Sequence, residues 1–355
     1  MLEKLELPIE IENIDCVSKC WIYNRMAIIK TSPYYRDWIA SHYNLIASNG
    51  FGFEFENVTP AYHEEILMRE PVHMFHLTKQ NILNKLKGYL REGYYVNMMI
   101  KQYPDRDYIH EVVFYGYNDR TECFTAVGIE KRIFQSMAFS YSYMEEMIEE
   151  VQEAFLNNQG RGMGLALNFQ YPVTIFKLNP SFNPKNCVFE AYRKVERELN
   201  GECFDLHFAG EFGEYKSHPY GYRYTGICCL DIFKQMLEVE IRGEEFHQWF
   251  QGITRNTKAL VEHRQMMKKT LDYIIDKWEM AVTDEARNSA QKYGECCMTT
   301  TIWLNLCLKY EITKDKKLLE RIVAEIPEIY AKEKLCLESF LHKGIDREKL
   351  NKCYI

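Results

Sequence analysis

The stretch HEVVFYGYNDRTECFTAV, from His110 to Val127, decides how this chain is read. Two runs rich in Val, Phe and Tyr, His110 to Tyr117 and Cys123 to Val127, flank Asn118–Asp119–Arg120, residues that favour a reversal, so the pair predicts a β-hairpin. Immediately upstream, Tyr94 to Ile100 reads as another strand, with Pro104–Asp105 as the turn. Further out the texture is helical. Residues 16–31 predict a helix with Ser18 as N-cap and Trp21, Ile22, Met26 and Ile29 on helical spacing, which sets Cys20 in its first turn. Helices are also expected over Tyr35 to Ser48, Thr78 to Arg91 and residues 140–157. Beyond them, short strands at Pro172 to Lys177 and Asp205 to Ala209 flank a helix over Val188 to Leu199. Helical patterns then cover residues 225–240, 244–280, 284–310 and 315–341. The expectation is an α+β domain over 1–160 and a mostly helical region over 161–355, with the boundary between Leu156 and Leu165.

A chain of 355 residues with 46% hydrophobic and 27% charged side chains has the composition of a folded protein with a real core, not of a disordered one. Its net charge of −7 supplies no broad attraction for nucleic acid or anionic lipid, and neither partner is expected. No apolar run is long enough to span a bilayer, and MLEKLELPIEIE carries acids where a signal peptide needs basic and then apolar residues. A cytoplasmic location is expected. The 12 cysteines, spread over a long chain, are expected to be reduced thiols.

Metal and nucleotide signatures are weak. Cys16 and Cys20 have C-x3-C spacing, while Cys228–Cys229 and Cys296–Cys297 are adjacent pairs that do not chelate one tetrahedral ion comfortably. The string GRGMGLAL from Gly160 to Leu167 lacks the Lys-Ser/Thr of a phosphate loop and reads as a connection. No metal and no cofactor is expected.

A cysteine in the first turn of a helix meets the positive end of the helix dipole and unpaired N–H groups, which favour the nucleophilic thiolate. Cys20 fits this description. A histidine opening a strand about ninety residues later, as His110 does, is how papain-like folds bring an imidazole from a sheet to a thiol at a helix end. Each signal by itself is ordinary: such a cysteine is usually a small hydrophobe, and such a histidine a satisfied surface residue.

The segments CWIYNRMAIIK, RDWIASHYNLI, GYYV, HEVVFYGYND, YGYRYTGICCLDIFKQML and VEHRQMMKKTLDYI together resemble the butirosin biosynthesis protein H family, over about residues 16 to 280. The resemblance implies a papain-like, cysteine peptidase-like N-terminal fold. It also implies an acyltransferase that moves an acyl group from a carrier-protein thioester to an amine in peptide-like natural product biosynthesis. Carrier protein and small amine are then the partners, and the acyl donor rides on the carrier's phosphopantetheine. Cys20 would be the nucleophile and His110 the base. Relatives of this type add an Asp or Asn that orients the histidine. Asp119 is about nine residues from His110, roughly 30 Å along a strand at 3.3 Å per residue, so it cannot serve. Gly128 stands where an Asp is expected, which leaves Glu130 as the nearby carboxylate, with a plain Cys/His dyad as the alternative. The oxyanion-hole Gln expected six residues before the cysteine is replaced by Ile14, beside Asn13.

Cys16 is the rival nucleophile if the helix begins at Asp15; the Ser18 cap, Trp21 and the register of Ile28–Ile29–Lys30 favour Cys20. His263, Arg264 and Lys268–Lys269 read as a solvated helix face, with a basic face for an acidic carrier as the other reading. Met266–Met267 and Tyr220, Tyr222 and Tyr224 read as core. Two alternatives to acyl transfer stay open: hydrolysis by the same dyad, as a peptidase or thioesterase, and a non-catalytic binding or immunity protein with a peptidase-like shell.

Overall fold

The computed structural model describes residues 3–12, 14–15, 20–42, 46–48, 52–55, 65–101, 109–130, 133–157, 173–201, 209–210, 213–214, 224–245 and 252–354. Cys16, Ser18, Pro104–Asp105, the Gly160 to Leu167 string, Tyr220 and Tyr222 lie outside them. In chain order the first elements are β1 (Lys4–Glu6), α1 (Cys20–Ile29), α2 (Tyr35–Ser41), β2 (Ile46–Ser48), β3 (Phe53–Phe55), β4 (Leu67–Val72) and α3 (Ile82–Arg91). Then come β5 (Tyr95–Lys101), β6 (Ile109–Asn118), β7 (Cys123–Glu130), β8 (Ile133–Ser140), α4 (Tyr141–Asn157) and β9 (Val173–Leu178). The rest is α5 (Cys187–Asn200), β10 (Ala209–Gly210), β11 (Gly213–Glu214), β12 (Tyr224–Thr225), α6 (Cys229–Arg242), α7 (Ile253–Lys277), α8 (Asp284–Thr313), α9 (Lys317–Lys343) and α10 (Arg347–Tyr354).

The elements form two units: Met1–Tyr35 with Thr59–Phe182 and Phe208–Tyr215, and Arg36–Val58 with Asn183–His207 and Lys216–Ile355. This corrects the boundary expected between Leu156 and Leu165. β9 lies beyond that point yet sits inside the first unit's antiparallel sheet, between β4 and β5. The segment read as one helix to Ser48 leaves helical form after Ser41, and β2 pairs with β3 and β12 in the second unit. Both differences come from strand pairing between residues far apart in sequence, which leaves no local period to read.

The first unit is built on the sheet β4-β9-β5-β6-β7-β8, with β1 alongside β6. Its pleat separates two apolar faces. Val96, Met98, Val112, Phe114 and Ile175 pack with Leu86 and Leu90 of α3 and Met147, Ile148 and Val151 of α4. On the other face, α1 meets Phe134 of β8 through Tyr23, their rings 4.5 Å apart, and sets the Arg25 guanidinium over Phe176 of β9. Every residue of α1 from Tyr23 to Ile29 is buried. A helix buried all round in this way is a central element, not a surface one.

The second unit is a mixed but mainly helical body, with α6 to α9 around the buried residues Phe233, Leu237, Leu260, Trp303 and Ile326. Gly226 adopts φ +57 and passes so close to α5 that an added Cβ would lie 2.2 Å from the Glu198 carbonyl oxygen; only glycine fits. The structure corrects the solvated face assigned to α7: His263 and Arg264 are 1% and 2% exposed, because α5, α8 and α9 cover them. His263 Nε2 lies 3.1 Å from Glu198 Oε2, and Arg264 donates to Glu333 at 2.7 Å. Lys268 does make the i,i+4 pair expected of it, with Asp272, and Met266 and Met267 are core.

Burial raises the Glu198 carboxyl above its ordinary range, with Glu333 adding to the rise and His263 and Arg264 opposing it. A carboxyl raised by folding contributes stability that is complete below its unfolded value and is lost as pH climbs through the folded one. Glu198→Gln is therefore expected to melt progressively higher relative to wild type as pH rises from about 4. Parallel melting-temperature curves for the two proteins would refute this.

No helix among the described residues is long and apolar enough to cross a membrane.

Candidate active site

Two local features build the site. The first is α1, whose described part begins at Cys20, with residues 16–19 outside the described residues. The second is the end of β6 that carries His110 and Glu111, one strand in from β7.

β6 pairs with β5 as far as His110 and Ile109, which face Ile100 and Lys101. Its ladder with β7 stops earlier, at Val113↔Val127. The pleat starts His110 on the face of Ile100 and Val112, whereas the Glu111 side chain points to α1. The imidazole turns back along the strand: Nδ1 lies 3.1 Å from the Glu111 carbonyl oxygen. Asn24 of α1 donates to the same oxygen through Nδ2, at 3.5 Å. The histidine and α1 therefore meet at one backbone carbonyl. Because a carbonyl oxygen only accepts, Nδ1 carries the proton and the neutral ring keeps its lone pair on Nε2.

Asn24 follows Cys20 by one helical turn. Residues four apart share a helix face, with Cβ atoms about 5–6 Å apart, so the backbone position of Cys20 lies one turn along α1 from the carbonyl that His110 engages.

Below this junction lies a polar cluster that periodicity does not reveal. The Glu111 carboxylate accepts from Asn97 Nδ2 at 2.5 Å and stands 3.6 Å from the Arg25 guanidinium, whose side chain is 3% exposed. It ties α1 to β5 and β6 at once. Asn24 and Asn97 each bury an Oδ1 that has no hydrogen-bond donor among the described residues. The sequence signal for this cluster is polar residues inside apolar runs: Asn24–Arg25 in CWIYNRMAII, Asn97 in YVNMMIK and Glu111 in IHEVVF.

The carboxylates weighed as the histidine's orienter lie elsewhere. Asp119 is at the far end of β6, held by Lys87 at 2.7 Å and by the Tyr141 hydroxyl at 2.8 Å; the Lys87 bond chiefly keeps its carboxyl below the usual range. Glu130 would oppose His110 if the β6–β7 register continued, but the strands have ceased to pair there, and its carboxylate accepts from Gln135 Nε2 at 2.5 Å. Gly128 is closely packed: an added Cβ would lie 2.7 Å from Met137 Cε and 2.9 Å from Val112 Cγ1, so an Asp at this position would displace core side chains. The described group on Nδ1 is a main-chain carbonyl. Glu130→Gln is accordingly expected to leave the pH profile of Cys20 alkylation unchanged, and a shifted profile would restore Glu130 as the orienter.

Among the described residues no group of three or more His, Cys, Asp or Glu is arranged to hold a metal ion. Cys123, Cys187, Cys228, Cys229, Cys296, Cys297, Cys307 and Cys336 are free thiols. No family model matches this chain, and no curated protein matches it either.

Proposed function

We propose that the chain is a cysteine-dependent acyltransferase of the butirosin biosynthesis protein H type, with a papain-like first unit. The observation that carries the reading is the meeting of His110 and Asn24 at the Glu111 carbonyl, one helical turn from Cys20. The buried central helix α1, on which Cys20 is carried, supports it further. Within the family, the sequence pattern is similar to the amide-forming enzyme of closthioamide assembly.

In this reading Nε2 of His110 takes the proton of the Cys20 thiol, and the helix N-terminus favours the resulting thiolate. The sulfur attacks the carbonyl carbon of a carrier-bound thioester; a new C–S bond forms, the old one breaks, and the carrier thiol leaves with a proton. The two thioesters are close in energy, so the exchange runs without ATP or metal. A small amine then attacks the acyl-cysteine, the C–N bond forms as the C–S bond breaks, and the amine proton passes through His110 to the departing sulfur. The acceptor decides the outcome: with water in place of the amine, the same parts hydrolyse.

The test is intact-mass spectrometry of the protein incubated with an acyl-loaded carrier protein. The expected result is one acyl adduct that persists in buffer and is released as amide when an amine is added. Rapid release without amine would assign a hydrolase, and absence of any adduct across varied acyl carriers would remove the enzymatic reading.

A further inference from the structure

Helix α8 is apolar on two opposite faces. Cys296, Trp303, Cys307 and Tyr310 recur at the spacing of one face, and the last three of them belong to the core of the second unit. The other face carries Met298, Ile302, Leu308 and Ile312, which are 62%, 45%, 44% and 84% exposed. Exposed apolar residues scattered singly are ordinary, but four on one face of one helix form a patch that the fold does not use. Between Met298 and Ile312 that face has a single charge, Lys309, beside the exposed Thr301 and Asn305.

Counted from Asn305, the residue classes match in both directions. Ile302 and Leu308 stand three residues away, Thr301 and Lys309 four, and Met298 and Ile312 seven. A second α8 running antiparallel, with the two-fold axis at Asn305, sets Ile302 level with Leu308 of the second copy and Met298 level with its Ile312. Lys309 comes level with Thr301 of the second copy, so no cation meets another; a parallel pairing would set Lys309 level with its own counterpart. Only Asn305 meets itself. Its amide is both donor and acceptor, so the two copies satisfy each other, where a charge at the axis would repel its own image.

We infer that this face joins two copies of the chain through an isologous contact of antiparallel α8 helices. The two-fold covers each exposed apolar side chain with another and closes after two copies. A strongly charged partner would find one cation here and nothing to complement it. From Met298 to Ile312 the face runs about 21 Å at about 1.5 Å per residue, and it is about 10 Å wide. That is small against the roughly 1,200 Å² that stable complexes bury, so the pair is weak and forms at high concentration. Neither Cys20 nor His110 takes part in the contact, so it stands apart from the acyl-transfer reading.

Sedimentation velocity of the full chain from about 5 μM to about 500 μM, the range of a weak contact, tests this. The expected result is a monomer that converts to a dimer across that range. Asn305→Lys, which sets two cations against each other at the axis, should leave the chain monomeric throughout. Ile312→Lys, at the most exposed of the four apolar positions, should weaken the dimer as well. Asn305→Leu, which replaces an amide pair by apolar contact, should tighten it by about tenfold. Asn305 is exposed, so none of these changes should alter the circular dichroism spectrum. Ile133→Lys, on β8 and 61% exposed, should dimerise as wild type. A monomer at every concentration, which would leave the face to a different protein, would overturn the assignment. So would a dimer that survives both lysine variants on α8, equal loss from Ile133→Lys, or open-ended assemblies.

Discussion

Cys20→Ala is expected to abolish the acyl adduct and to reduce amide formation on the order of 10³-fold or more, the scale at which loss of a nucleophile is felt. Cys16→Ala should retain both. Alkylation by a limiting thiol reagent should find Cys20 ahead of Cys228, Cys229, Cys296, Cys297, Cys307 and Cys336, and their surroundings explain why. Burial pushes the thiols of Cys297 and Cys307 up to about 11 and that of Cys296 up to about 12. It also raises Cys228, Cys229 and Cys336. A raised thiol has less thiolate at neutral pH and reacts more slowly. In the proposed site Cys20 is a first-turn nucleophile favoured as thiolate, so its alkylation should level off at lower pH than that of Cys296. His110→Ala should move the Cys20 profile upward without unfolding the protein, since His110 is a partly exposed residue near the end of β6. Equal labelling of Cys20 and Cys296, or full amide formation by Cys20→Ala, would end the proposal.

The largest loss of stability is expected in the second unit, from Arg264→Met. The Arg264 guanidinium and the Glu333 carboxylate are 2% and 0% exposed and 2.7 Å apart, and the Tyr293 hydroxyl donates to the other Glu333 oxygen at 2.6 Å. Burial works against the Arg264 charge, but the Glu333 carboxylate and Tyr293 outweigh it and hold the guanidinium above its usual range. Removing the arginine strands a carboxylate without solvent or counter-charge, which costs about 3–5 kcal/mol. Thermal melting should show this. Arg264→Met combined with Glu333→Leu should recover most of the loss, because two apolar side chains of similar volume replace a pair whose desolvation nearly cancels its attraction. If the single variant melts as wild type, the pair is not the buried contact described above.

The fold was legible where one element answers to one local pattern. The hairpin of β6 and β7 is read from alternation and turn residues, and α3, α4 and α5 to α9 from helical period and length. Where neighbours in space are distant in sequence, the pattern is silent. β8 alternates weakly because much of it is exposed, and β1 and β4 are placed by pairing with β6 and β9.

At the candidate site the division is similar. The first-turn cysteine and the strand-opening histidine are types and positions that a sequence displays. Glu130 was suggested by continuing a register that stops at Val113↔Val127, and a ladder's end is decided by strand twist and packing, not by residue type. The Glu111 carbonyl could not be anticipated, because every residue has a carbonyl and only the approach of α1 and His110 selects this one.

What the residues alone determined is therefore local: the helices, the hairpin, and a thiol and an imidazole at element ends, all set by spacing along one segment. Tertiary structure decided which unit owns β9, which charges on α7 are buried, and which oxygen holds the histidine. Those choices depend on contacts between distant segments, whose energies no single segment records.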